Sequence, residues 1–351
     1  ERLAGLIEEM EGTDLRNDAR IALAQIEGGQ GRPEAARALI EDVLASDATN
    51  VQGLLLRAAW RIQSQLYGEA ITDLRAALDQ DPRNSDVLML LAEAQQRLGN
   101  VELAEQRLAR AVEVSGAAPR ESLIFAQFQL ARGNLNAAEQ TLTESLRTNG
   151  DLDVARLLGQ VMLQDGNFDG LARLIDGLEE RGDDASVSLA RSLQAALLFN
   201  QNRIEESLAF LSGTLDEDGD PDSNFETDVQ ILRVQMMAGR LDEARIQLQK
   251  LRGQYPDSLA LRLLQGNILS LEGKEQEAIA VYRRILEENP GELIVIQRLY
   301  SALQEVGEQE RASALLSQAL DADPQSRQLQ ILRALEHERD GEYEEAIRIY
   351  E

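Results

Sequence analysis

The residues most able to do chemistry in this 351-residue chain stand in "LDEDGDPDSNFETD", residues 215–228. A calcium loop of the EF-hand kind needs oxygens at positions 1, 3, 5, 7 and 9, Gly at 6 and a bidentate Glu at 12. Counting from Asp216 gives Asp216, Asp218, Asp220, Asp222 and Asn224 at the oxygen positions. Pro221 and Thr227 then stand where the turn Gly and the closing Glu belong. The stretch therefore reads as a solvated, breaker-rich connector. His337 is the only His and there is no Cys, which leaves neither a His-dependent triad nor a typical zinc site. "EGGQGRPEAA" (27–36) has the glycines of a phosphate loop but not its Lys-Ser/Thr. We read no catalytic residue, no metal site and no cofactor from the sequence.

Charge narrows the partners. Lys and Arg number 35 against 62 Asp and Glu, a net charge of −27. Nucleic acid and anionic membrane surfaces would repel such a chain. No run approaches the ~20 apolar residues of a membrane helix, so no direct membrane insertion is expected of this segment. Hydrophobic content of 43% is enough for a core, and Ala, Leu, Gln, Glu and Arg dominate, a composition of helix formers. Lys250 and Lys274 are the only lysines.

An internal repeat organises the chain. "YGEAITDLRAALDQDP" (67–82), "LDEARIQLQKLRGQYP" (241–256), "EQEAIAVYRRILEENP" (275–290) and "QERASALLSQALDADP" (309–324) share one pattern. An Ala is followed by a large apolar residue four later, an apolar or small one three further, and a Pro at the end. Units begin near Asn17, Val51, Ser85, Pro119, Leu152, Ser188, Phe225, Leu259, Leu293 and Arg327, and the first three and last three intervals are each 34 residues.

This pattern resembles the tetratricopeptide repeat family, whose unit is an antiparallel helix pair. The resemblance implies an all-α, right-handed superhelix (an α-solenoid) of about ten helix-turn-helix units. The small residue opening each second helix would be Ala36, Ala70, Ala104, Ala138, Ala244, Ala278, Ala312 and Ala346, with Leu171 and Ser207 in the fifth and sixth units. The turn Gly would be Gly31, Gly99, Gly133, Gly166, Gly239, Gly273, Gly307 and Gly341. Pro82, Pro256, Pro290 and Pro324 would end second helices. Asn50, Asn84, Ser258 and Ser326 stand where a side-chain oxygen can cap the next first helix. The family's Trp near the start of the first helix is absent, and Trp60 sits off that column.

Four segments follow: a remnant second helix at 1–16, a regular sub-array at 17–182, an irregular repeat with the acidic connector at 183–224, and a second sub-array at 225–351. Both ends read as cut within a unit, so apolar faces around Leu6, Ile7, Ile347 and Tyr350 suggest end-to-end self-association.

In the resembled family the second, fifth, ninth and twelfth residues of each first helix face a concave groove. Among them here are Gln52, Met89, Glu93, Arg120, Gln127, Arg156, Gln160, Phe199, Arg233, Met236, Asn267, Gln297 and Gln304. Charges at these positions nearly balance, so the acid excess is expected on the convex side and loops. A Lys/Asn carboxylate clamp known in some family members is not expected, because no first helix carries Lys and Asn267 alone matches its Asn. The expected function is a non-catalytic scaffold that binds a protein segment, a peptide or a helix, in this groove. The Arg-over-Lys bias, the lack of Cys and the loose register also resemble long bacterial arrays of exopolysaccharide- and exosortase-linked secretion. That resemblance implies an assembly module in a cell envelope. A third reading is the repeat portion of a larger enzyme such as a glycosyltransferase.

Overall fold

The computed structural model describes residues 12–215, 221–324 and 326–350. The helix expected at 2–10, with Leu6 and Ile7, lies outside the described residues. So do Asp216, Asp218 and Asp220, and the side chain of Tyr350.

The chain divides into two compact units, Glu1–Gly170 and Leu171–Glu351. Unit 1 holds α1 (Thr13–Gly29), α2 (Pro33–Ser46), α3 (Val51–Gln63), α4 (Tyr67–Gln80), α5 (Ser85–Arg97), α6 (Val101–Val114), α7 (Pro119–Ala131), α8 (Leu135–Asn149) and α9 (Leu152–Asp165). The division falls in α10 (Phe168–Arg181). Unit 2 continues with α11 (Asp184–Asn200), α12 (Ile204–Gly213), α13 (Pro221–Met237), α14 (Leu241–Gln254), α15 (Leu259–Leu271), α16 (Glu275–Glu288), α17 (Leu293–Glu305), α18 (Gln309–Ala322), α19 (Arg327–Arg339) and α20 (Tyr343–Tyr350). The fold is an all-α helical repeat, with no strand among the described residues. Odd-numbered helices are the first of each pair, even-numbered ones the second.

The Ala column sits where helices cross. Ala36, Ala70, Ala104, Ala138, Ala244, Ala278 and Ala312 are fully buried. Each puts a single methyl between two backbones, which lets the axes approach. Ser207 fills the same place in α12 and is also fully buried; its hydroxyl donates to the Ala195 carbonyl at 2.9 Å, so the polar atom is satisfied. Leu171 is equally buried in α10. The irregular sixth unit is also thin: α12 has ten residues and buries Ser207 and Leu211. By contrast, α16 has fourteen and buries Ala278, Ile279, Tyr282 and Ile285.

All eight turn glycines have φ between 72° and 80°. The two pairs without Gly still need the left-handed conformation, and Gln65 (φ 61°) and Asn202 (φ 59°) supply it. Asn accepts this readily, whereas Gln65 is strained by roughly 1 kcal/mol. Asn50, Asn84 and Ser258 cap as expected, accepting from the backbone N–H groups of Gly53, Val87 and Leu261. Ser326 makes no such bond. Asp151 and Asp183 do, at the starts of α9 and α11.

Three first helices begin one turn before their expected starts, at Thr13, Asp184 and Pro221. The acidic stretch is thus a connector only in part. From Pro221 onward it is helix α13: Pro suits a first helical position, and acidic residues suit a helix N-terminus. Asp228, its last acid, is buried and accepts from Gln247 Nε2 of α14 at 2.7 Å. Phe225, on the same helix, meets Tyr255 edge-on, with centroids 4.6 Å apart.

In unit 2 Tyr300 of α17 is buried. Glu336 lies buried on α19, held by Arg333 at 2.8 Å and by the Ser313 hydroxyl at 2.6 Å. Burial pushes the Tyr300 hydroxyl up to about 12, and the Glu336 carboxylate adds to the shift. An unfolded tyrosine ionises near about pH 10. The unfolded chain therefore loses this proton first. The contribution to stability is intact below that pH and is lost as pH climbs to about 12. We expect the melting temperature to fall across this window, and less steeply for Tyr300→Phe. Tyr282, also raised by burial, keeps a residual slope. Melts by circular dichroism check this, and identical slopes for the two proteins would refute it.

Candidate functional site

First helices of neighbouring pairs touch side by side, α3 with α5 and α7 with α9 in unit 1, α11 with α13 and α15 with α17 in unit 2. Within each unit these pairs place their outward residues on a shared first-helix side.

On unit 1, Gln52, Glu93, Gln127, Arg156 and Gln160 are exposed on this face. Arg120 is exposed too, but its guanidinium donates to Asp86 at 2.5 Å, tying α7 to α5. Met89 is not a groove residue. It is 8% exposed and packs into a core with Ala92, Leu108, Phe125 and Phe128. At the fifth position an unbranched apolar side chain fills the gap between helices instead of facing solvent.

On unit 2, Arg233 is exposed, while Phe199, Met236, Asn267, Gln297 and Gln304 are half-buried. Two of these are already engaged. Asn267 accepts from the Tyr282 hydroxyl at 2.9 Å, so it braces α15 against α16. Gln304 accepts from Arg339 at 2.6 Å across to α19. Phe199 and Arg233 come together at a pocket of about 160 Å3 between α11 and α13. Ser192, Asn200, Val234 and Met237 are among the other residues of its wall. Sequence counting selects Met236, whereas its neighbour Met237 lines the pocket.

Neither Arg156 nor Arg233 makes an ion pair among the described residues. Each leaves a guanidinium fork open on the face, able to grip a carboxylate through two parallel N–H bonds. His337 is half-exposed, with Nδ1 2.7 Å from Glu342. Among the described residues, no group of three His, Asp or Glu side chains is placed to hold a metal ion. No described helix is long and apolar enough to cross a membrane.

Residues 61–120 and 269–335 match one family model described as tetratricopeptide repeat, and residues 232–292 match a second with the same description. These matched segments are tetratricopeptide repeats, and together they cover just under half of the chain. No curated protein matches it. Similar solved structures include a tetratricopeptide repeat protein from Parabacteroides merdae, at 13% identity and TM-score 0.48, covering 82% of this chain and 98% of that one. PilF of Pseudomonas aeruginosa aligns at 19% identity and TM-score 0.43, over 73% of this chain and 100% of that one. A structure of Naa15/Naa10 bound to HypK-THB aligns at 16% identity and TM-score 0.37, over 81% of this chain. The chain spans only 44% of the length of that last structure.

Proposed function

We propose that the chain is a non-catalytic protein-interaction scaffold whose first-helix face binds an extended segment or helix of a partner protein. The observation that carries this reading is the pocket at Phe199 and Arg233. It joins an aromatic wall and apolar side chains to a guanidinium with no carboxylate of its own. Its volume suits one apolar side chain, and the open fork suits an Asp or Glu beside it. Exposed amides along the face, Gln52, Gln127 and Gln160 among them, can hydrogen-bond a peptide backbone without specifying its sequence.

Peptides selected from a displayed random library on the whole chain test this. They should share an apolar residue next to an acidic one. Arg233→Glu should weaken the selected peptides by about tenfold or more, because it replaces a charge-assisted bond with repulsion. Arg156→Glu should do the same for ligands seated on unit 1. Both sites are exposed, so helical content should not change. Glu144→Lys on α8, away from the first-helix face, should leave affinity unaltered. Loss of binding with Glu144→Lys alone, and none with either Arg variant, would place the ligand elsewhere and sink the reading.

A further inference from the structure

A second cleft lies on the second-helix side of unit 2, between α14, α15 and α16, with a volume of about 520 Å3. The acid excess was expected on this side, yet three arginines line the cleft: Arg252, Arg262 and Arg284. Only Asp257 and Glu288 oppose them there, leaving one unit of positive charge in a chain of −27. Ala280 and Val281 give the cleft an apolar side.

Its hydrogen bonding is unfinished. Arg262 pairs with Glu288, and Arg284 approaches the same carboxylate at 3.8 Å. Arg252 makes no ion pair among the described residues. The Nε atoms of Arg252 and Arg262 are both buried without a hydrogen-bond partner. A buried donor left unpaired costs free energy. Glu288 shows what the cleft accepts. It sits in the last turn of α16, where the helix dipole disfavours an anion. Even so, the hydrogen bond from Arg262, with Arg284 nearby, holds its carboxyl below the usual carboxylate range.

We propose that this cleft binds one carboxylate of a partner protein segment, with an apolar side chain of that segment against Ala280 and Val281. The open fork at Arg252 matches a carboxylate bidentately. A single negative charge neutralises the single excess cation. Polyanions are disfavoured, because the rest of the chain repels them. This surface is separate from the first-helix face and stands or falls independently of it.

The test uses the whole chain with N-acetyl-leucine as probe and N-acetyl-leucinamide as its uncharged twin, read from the methyl resonances of Ala280 and Val281. The acid should give saturable shifts and the amide should not. Arg252→Gln should weaken the acid by about tenfold. Glu288→Gln, which frees two guanidinium groups, should tighten it several-fold. Arg284→Gln, at a side chain 79% exposed, repeats the test without touching the core if Arg252→Gln unfolds. Equal shifts from acid and amide, no shifts, or indifference to both Arg variants would overturn the proposal. Stronger binding of inorganic phosphate than of the acid would overturn it in favour of a phosphoryl ligand.

Discussion

Replacing Asp73 with Ala should destabilise unit 1 by about 3–5 kcal/mol. Asp73 lies on α4 with its side chain only 5% exposed. Arg57 of α3 grips both its oxygens, at 3.0 and 2.8 Å, and Arg61, one turn later, donates to it at 2.5 Å. Glu41 on α2 and Glu69 on α4 complete the cluster through the same two arginines. The pairing raises the Arg57 pKa further, chiefly through the Asp73 hydrogen bond. Removing the carboxylate strands two half-buried cations whose remaining partners are exposed. Trp60, the only Trp, packs against the same core and reports on it. Urea unfolding followed by its fluorescence should show the loss. The exposed pair Arg147–Glu144 provides the contrast, and Glu144→Ala should leave the curve in place. An unchanged midpoint for Asp73→Ala would refute the account.

Gly266→Ala should cost about 3 kcal/mol, although Ala is normally the better helix residue. A Cβ built on Gly266 would stand 2.2 Å from Cε1 of Tyr282. The ring cannot retreat easily. Tyr282 is 1% exposed, and its hydroxyl is anchored to Asn267. Either α15 and α16 separate, or the ring leaves its site and opens a cavity. Shortening the ring residue in the same chain, Gly266→Ala with Tyr282→Leu, should recover part of the loss, since the two positions are coupled through one contact. Thermal melts of Gly266→Ala, Tyr282→Leu and the double variant decide it. If the single Gly variant melts like the parent, the helices are not as close as described.

What was legible in the sequence was local and steric. Ala at a crossing and Gly in a left-handed turn are demanded by a few atoms, so Ala278 and Gly273 could be read one unit at a time. Gln65 and Asn202 adopt the same turn without its usual residue, and composition alone does not reveal that. The start of α13 was misjudged because a run of acids looks like a solvated linker. Behind a Pro, the same acids favour a helix N-terminus. Met89 was assigned to the open face by counting positions, but its burial depends on how α7 lies over α5. The Arg-lined cleft was invisible for another reason. Its residues come from three helices, and no periodicity marks them. Of the groove residues, Phe199 and Arg233 line one pocket, which counting along each helix by itself does not show, while Asn267 and Gln304 are occupied within the fold.

The thin sixth pair also bears on how the chain carries tension. Helices here are held chiefly by their neighbours in sequence, so a pull on the two ends passes through the pairs in series, and the weakest junction sets the yield point. With only Ser207 and Leu211 buried along it, α12 is a thin link inside unit 2. In single-molecule extension the first rip should release about one helix pair and leave the cores around Ala278 and Ala70 intact. A first rip that releases a whole unit would show instead that α12 is no weaker than its neighbours.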